Sequence, residues 1–280
     1  MVKLASVFLS FFIFITVFAS DLNSQNPNRG SNKSSFSANA NADAEFRRIP
    51  NPAFKVGEKL TFDVKYGFVK AGVATMEVPR TKKISGRDVY QVTFQVMSVP
   101  SFDWFYKVRD RYETYLDMEG LFPWRFEQHI REGGYSRDFS AFFDHRKGKA
   151  RTSGGEYNIP KYVNDIVSAF YLARTFDFSK MKPGNRVHLE NFYDDKVYPL
   201  DVVYHGREKV SVSAGTFNCI IVEPLVQEGG LFKSEGNILV WLTDDQLRIP
   251  VKVKTKVVVG SIDAELTAYE GLAGSLSSKR

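Results

Sequence analysis

The sequence has little of what catalytic and metal-binding sites are made from. Its 280 residues include one cysteine and four histidines. Cys219 lies in an apolar stretch, which indicates a buried thiol, and a lone cysteine excludes an intrachain disulfide. No two histidines have metal-site spacing, and neither a phosphate-binding glycine loop nor a G-x-S-x-G nucleophile motif occurs. We therefore expect no metal, no cofactor and no enzymatic activity.

Apolar runs long enough to cross a membrane are also lacking. The one candidate is residues 1–19, where Lys3 precedes an apolar run that ends in Val17-Phe18-Ala19. This run is shorter than the roughly twenty residues of a transmembrane helix. Its small-residue end suits cleavage, so it indicates a secretory signal peptide and no transmembrane span in the mature chain. No cysteine lies near the cleavage point, so we expect an exported, periplasmic or envelope-associated protein that is not lipidated.

Large apolar side chains are scarce in residues 20–51, which are rich in Asn, Ser and Ala. Such a segment buries too little to offset the entropy of ordering, so we expect a disordered linker. Residues 52–275 then form a single domain. The net charge of +6 at pH 7 permits attraction to anionic lipid or polysaccharide, although a solvated surface is the commoner explanation. A nucleic-acid partner is not expected, because no recognised module is present.

Aromatic residues, in contrast, are abundant, with 24 Phe and 13 Tyr. In residues 61–68, Phe62, Val64, Tyr66 and Phe68 alternate with polar residues, which predicts a half-buried strand. Residues 251–259 alternate valine with lysines that either bind an anionic polymer or protect an edge strand. About a dozen such segments predict an all-β fold with one buried helix, either a spiral β-roll or an open curled barrel of mostly antiparallel strands. The aromatic residues 99–106 are expected to seal one end of it, or to form a functional rim.

The clearest helix spans residues 165–176, with Asp165 as its N-cap. Ser168, Tyr171 and Arg174 continue a polar ridge along an otherwise apolar helix. A buried arginine needs a partner, and Asp110 is the expected one, because its strand carries charges on both faces. The candidate ligand-binding residues are therefore Asp110, Arg111, Tyr115, Ser168, Tyr171 and Arg174. Structural support is favoured over a ligand head-group site.

Several motifs along the chain resemble an exported bacterial family, domain of unknown function 3108. They are Phe54-Lys55-Val56-Gly57-Glu58, Arg109-Asp110-Arg111, the helix from Asp165 to Arg174, Ala214-Gly215-Thr216-Phe217 and Trp241 to Pro250. The resemblance implies a spiral β-roll like that of the group 4 capsule lipoproteins, with one helix against the sheet. It implies no activity. We interpret Trp241 as a structural residue.

Two classes of function fit these expectations. The first is a non-enzymatic envelope protein that binds an amphipathic lipid or glycan inside the curled sheet. The second is a structural partner of other envelope proteins, with no small-molecule site. A contiguous apolar cavity would favour the first class, whereas a packed interior with an exposed apolar patch would favour the second.

Overall fold

The structure, a computed structural model, describes residues 46–228, 231–232, 238–257 and 260–280. The signal peptide and most of the linker expected from the sequence lie outside these residues. Residues 46–51, predicted as the end of that linker, are packed on the sheet instead. The Phe46 ring lies 5.2 Å from that of Phe122, and the Ile49 amide donates to the Glu119 carbonyl at 2.8 Å. The prediction was wrong here because it used the average composition of the segment, which is polar. It did not consider the free energy that Phe46 gains when its ring is buried.

The described chain consists of fifteen strands and two short helices. The strands are β1 Lys59–Tyr66, β2 Val69–Ile84, β3 Arg87–Ser98, β4 Arg109–Asp117, β5 Pro123–Glu132, β6 Tyr135–Asp144, β7 Lys149–Arg151, β8 Glu156–Asn158, β9 Arg186–Tyr193, β10 Lys196–Val212, β11 Gly215–Glu228, β12 Leu231–Phe232, β13 Ile238–Thr243, β14 Pro250–Lys256 and β15 Ser261–Glu270. The helices are α1 Pro100–Asp103 and α2 Ile166–Ala173. This confirms the expected mainly antiparallel β fold.

All strand neighbours in the sheet are antiparallel, and β1 and β15 pair at its centre. On one side of this pair the chain runs outward as a meander from β1 to β8. On the other side the order is β15, β14, β13, β11, β10 and β9, with β12 paired beside β11. The strands at the two edges, β8 and β9, are therefore consecutive in sequence and are joined by the segment that contains α2.

The two edges of the sheet approach each other, so the sheet curls around α2. The Asn164 amide, just before α2, donates to the Glu190 carbonyl on β9 at 2.8 Å. Across the gap, Arg137 on β6 donates to Asp194 at 2.6 Å, and Tyr157 on β8 donates to Asp195 at 2.9 Å. Side chains thus connect edges that have no shared ladder of strand hydrogen bonds.

Alternation sets the inner face of β1 as the sequence predicts, except at Phe68, which lies beyond the end of the strand and is exposed. On β1, Leu60, Phe62 and Val64 are buried, whereas the residues between them are half-buried. The lysines of β14 do not protect an edge, however, because β14 lies between β13 and β15. Lys252 bridges Asp263 at 3.1 Å and Glu265 at 2.8 Å on β15. A two-residue period identifies the face of a strand but not its neighbours, which explains this error.

The aromatic segment around α1 seals the end of the roll only in part. Phe102 and Tyr106 are half-buried, and the Tyr106 ring packs so closely on Gly133 that an added Cβ would lie 2.9 Å from it. Trp104 and Phe105 instead are 83% and 48% exposed. The chain turns as a helix here, so Phe102 and Tyr106, four residues apart, share a face that Trp104 and Phe105 do not reach.

Substitution of Trp241 tests how much one buried aromatic side chain of the sheet contributes to the free energy of unfolding. It is buried on β13, and its indole Nε1 donates to Glu208 on β10 at 2.8 Å. Trp241→Ala should lower the free energy of unfolding by about 3–5 kcal/mol, measured by urea denaturation. The control is Trp104→Ala at an exposed position, which should change it by about 0.5 kcal/mol or less. Equal effects of the two substitutions would contradict a structural role for Trp241.

Candidate functional site

The N-terminal end of α2 is fixed by a buried capping box. The Asp165 carboxylate accepts from the amides of Val167 and Ser168 at 2.8 and 2.9 Å, and Ser168 Oγ accepts from the Asp165 amide at 2.8 Å. Thr114 Oγ1 on β4 donates to the same carboxylate at 2.6 Å, which ties the helix to the sheet. Burial raises the pKa of Asp165 to about 6, against the effect of these hydrogen bonds. Ser168 is therefore a capping residue at this end.

The C-terminal end of α2 is fixed by a buried ion pair. Arg174 Nη1 and Nη2 donate to the two carboxylate oxygens of Glu58 at 2.6 and 2.9 Å. Nη2 also donates to the carbonyl oxygens of Ala53 and Leu247, both at 3.0 Å. Neither charged side chain has any solvent exposure. The pair therefore joins α2 to the segment before β1 and to the connection between β13 and β14.

The partner of Arg174 is thus Glu58 and not Asp110, which corrects the expectation from the sequence. Tyr171 does lie beside the pair, with its ring centroid 5.1 Å from the Arg174 guanidinium. Burial, and then the nearby Glu58, raises the pKa of Tyr171 above its ordinary value. Burial lowers the pKa of Arg174, but the Glu58 charge outweighs it, so the pKa is raised and the arginine stays charged.

Asp110 lies on the inner face of β4 and forms a pair of buried acidic side chains with Glu132. Its Oδ1 accepts from the Arg131 amide at 2.9 Å, and the Glu132 carboxyl group on β5 lies beside it. Burial, followed by the Asp110 charge, raises the pKa of Glu132 to about 8. Burial also raises the pKa of Asp110. At neutral pH the two carboxyl groups therefore hold one proton between them.

Arg111 and Tyr115 occupy the opposite face of β4, on either side of Glu113. Arg111 Nη2 donates to Glu113 at 2.5 Å, and the Tyr115 hydroxyl also donates to this carboxylate. Gln91 Nε2 donates to it at 2.6 Å. The six candidate ligand-binding residues are therefore divided among four places: the helix cap, the Arg174 pair, the Asp110 pair and the Glu113 group.

An apolar cavity of about 200 Å³ lies between α2 and the sheet. Its lining comes from both halves of the sheet and from α2, and includes Phe62, Phe94, Ile166, Phe170, Val240 and Val253. Phe94 and Phe170 are only half-buried although they are large and apolar. The small side chains of Ala169 and Ala173 on α2 also line this space and leave it unfilled.

Almost no polar group faces this cavity. Thr255 and Tyr112 carry the only hydroxyl groups among its lining residues. Thr255 is buried, and its Oγ1 has no hydrogen-bond partner within the described parts of the chain. A buried hydroxyl without a partner costs free energy, so this atom is available to a bound polar group.

A second cavity of about 40 Å³ lies on the same inner face, nearer to α1. Along β1 the lining passes from Phe62 in the larger cavity to Val64 and Tyr66 in the smaller one. On β15 it passes likewise from Ala264 to Ile262. Glu132 of the acidic pair lines the smaller cavity. The two spaces therefore follow one another along the interior of the roll.

The described residues offer no obvious metal site or membrane span. Within them, no three His, Cys, Asp or Glu side chains are grouped so that they could hold a metal ion. No helix in the described part of the chain is both long and apolar enough to cross a bilayer. Cys219 is buried, as expected, and burial raises its thiol pKa to about 12.

The architecture defines a class, a curled antiparallel β-roll closed over one helix. The chain belongs to the family described as protein of unknown function DUF3108, whose model matches residues 61–267. This confirms the resemblance noted in the sequence. Among solved structures, a β-barrel-like protein of domain of unknown function DUF1849 from Brucella abortus has a TM-score of 0.52 and 12% identity, over 78% of this chain and 99% of that chain.

A protein with a YmcC-like fold from Bacteroides fragilis has a TM-score of 0.35 and 10% identity, over 81% of this chain and 100% of that chain. No curated protein matches the chain. The comparisons therefore establish the family and the fold.

The Glu58–Arg174 pair should be a structural requirement. Arg174→Met should lower the free energy of unfolding by about 3–5 kcal/mol, because it leaves the buried Glu58 carboxylate without its partner. Adding Glu58→Met should recover part of that loss, since no uncompensated charge then remains. Urea denaturation of the two single variants and the double variant measures the coupling. A stable Arg174→Met protein that loses a ligand would instead assign the pair to a head-group site.

The Asp110–Glu132 pair should make stability depend on pH. The pKa of Glu132 rises from its ordinary 4.5 to about 8 in the folded protein, so the folded state binds more protons than the unfolded state between these values. Stability should therefore fall as pH rises through this window, by up to about 1.4 kcal/mol per pH unit for one proton. Glu132→Gln should flatten the slope of unfolding free energy between pH 6.5 and pH 8, whereas Glu156→Gln at an exposed site should not. An unchanged slope in Glu132→Gln would contradict the assignment.

Proposed function

We propose that this protein is exported to the cell envelope and holds the apolar chain of an amphipathic lipid in the larger cavity, without catalysing a reaction on it. The observation that carries the proposal is the nearly complete lack of polar groups in the lining. An acyl chain gains free energy by leaving water and needs no hydrogen-bond partner. A glycan would leave its hydroxyl groups unpaired there, which supports a lipid over a glycan.

The size of the cavity limits what it holds. At about 200 Å³ it exceeds the space in which a buried apolar cavity takes up benzene, about 150 Å³. It is smaller than the roughly 300–1,000 Å³ of pockets that enclose drug-sized ligands. One segment of an acyl chain fits this volume, with the rest of the lipid extending along the interior towards the smaller cavity. Such a cavity supports lipid binding over the alternative of a structural partner with no small-molecule site.

Export is proposed from the sequence of residues 1–19, which has the charge and apolar run of a signal peptide. No cysteine stands near their end, so the proposed mature protein is not lipidated. A carrier that is free of its own lipid anchor can move a bound lipid through the envelope.

Filling the cavity tests the proposal directly. Ala264 on β15 lines it, so Ala264→Leu should lower the affinity for a fluorescent long-chain fatty acid by about tenfold or more. The melting temperature should be kept or raised, because the added side chain fills space that is empty. Ala268→Leu, at an exposed position of the same strand, is the matched control and should bind normally.

The measurement is a fluorescence titration of the purified chain, with native mass spectrometry of any lipid that purifies with it. Equal affinity of the Ala264→Leu and Ala268→Leu proteins would place the fatty acid elsewhere. Failure of the unaltered protein to bind the fatty acid would overturn the proposal.

A further inference from the structure

One end of the roll presents apolar side chains to solvent. We define the aromatic patch as Phe68, Val69, Trp104 and Phe105, all of which are exposed. Phe68 and Val69 form the tip of the β1–β2 hairpin, and Trp104 and Phe105 follow α1 in the connection from β3 to β4. The two loops are neighbours, because the Val99 amide donates to the Ala71 carbonyl at 3.0 Å. Exposed apolar groups that adjoin in this way indicate an interaction surface.

The loop that carries Trp104 is anchored at its base. Arg109 Nη2 donates to Asp103 at 2.5 Å, and the Gly133 amide donates to the Lys107 carbonyl at 2.8 Å. The rings of Phe102 and Phe105 are 5.6 Å apart, so the exposed ring rests on a half-buried one. Trp104 and Phe105 are therefore held outward by a fixed loop.

The composition of the patch fits a lipid bilayer with anionic head groups. Trp and Phe partition into the interface between head groups and acyl chains. Lys70, which bridges Asp63 at 2.6 Å, follows the exposed residues of the first loop, and Lys107 follows those of the second. Lysine beside an inserted aromatic residue contacts lipid phosphates, whereas the core of a protein–protein interface is depleted in lysine.

The interior of the roll leads to the same end. Ala71, Phe102 and Tyr106 line the smaller cavity and belong to the loops that carry the aromatic patch. We propose that the aromatic patch is a docking surface that inserts Phe68, Trp104 and Phe105 into an anionic lipid bilayer. The docked roll then has the smaller cavity next to the membrane. Docking does not require that the larger cavity hold a lipid, so it stands apart from the proposed function.

Trp104 is a natural reporter of docking. The chain has three tryptophans, and the other two, Trp124 and Trp241, are buried. With vesicles of phosphatidylglycerol and phosphatidylcholine, the emission of the full chain should shift to shorter wavelength. Lipids brominated near the head group should quench it. Trp104→Phe should abolish both changes, because the buried tryptophans stay out of reach.

Affinity for the same vesicles tests the rest of the patch. Phe68→Ser with Phe105→Ser should weaken vesicle binding by about tenfold or more. Phe142→Ser is the matched control, because Phe142 is as exposed as Phe105 but is not part of the aromatic patch. It lies near the end of β6, far along the strand from Gly133, which contacts the loop of Trp104. Replacing phosphatidylglycerol by phosphatidylcholine should also weaken binding, by about tenfold if both lysines contact head groups.

Other occupants give different results. Vesicle binding without quenching of Trp104 would place the membrane contact elsewhere on the chain, and it would overturn the proposal. A dimer in sedimentation that the Phe68→Ser/Phe105→Ser variant disperses, with no vesicle binding, would assign the patch to a second copy of the chain. Ala264→Leu should dock normally, which separates failure of docking from failure of lipid uptake.

Discussion

Arg174 can remain inside the roll only because its charge is paired, and the position of α2 depends on that pairing. An arginine buried without a counter-charge costs several kcal/mol, more than the helix dipole returns at the last turn. Glu58 supplies the counter-charge, and the carbonyl groups of Ala53 and Leu247 accept further hydrogen bonds. Three segments far apart in the sequence are thus fixed at one point. The capping box of Asp165 fixes the other end of the helix.

With both ends held, α2 does not have to pack tightly along its length. The sheet curls around it and contributes large side chains from both halves, while α2 contributes Ala169 and Ala173 on the same side. Protein interiors are usually packed without voids of this size, so an empty apolar space costs contacts that a filled core would make. The polar attachments at the helix ends offset that loss, which allows the roll to be stable around a cavity.

The inner face also tolerates a buried acidic pair. Asp110 and Glu132 lie against apolar strands near the smaller cavity, and a shared proton removes one of the two charges. Two adjacent carboxylates would repel each other, and burial makes ionisation of both costly. The pair therefore makes the end of the roll near the aromatic patch sensitive to proton concentration.

The sequence alone determined the local structure. The two-residue alternation in β1 and β14 identified strands and their buried faces, and Asp165 before an apolar run identified the start of α2, because both signals arise from neighbouring residues. It also showed that Arg174 needs a partner. The identity of that partner depended on the tertiary structure, since Glu58 lies 116 residues away and only the curling of the sheet brings it to the helix.

The tertiary structure also decided how the six candidate residues are divided among separate places. Residues on one strand point to opposite faces, so Asp110 separated from Arg111 and Tyr115 once the inner face of β4 was fixed. The motif around Glu58 was visible in the sequence, but nothing near it required a cation. The cavity and the exposure of Trp104 could not be predicted either, because they depend on how distant strands and loops fill space together.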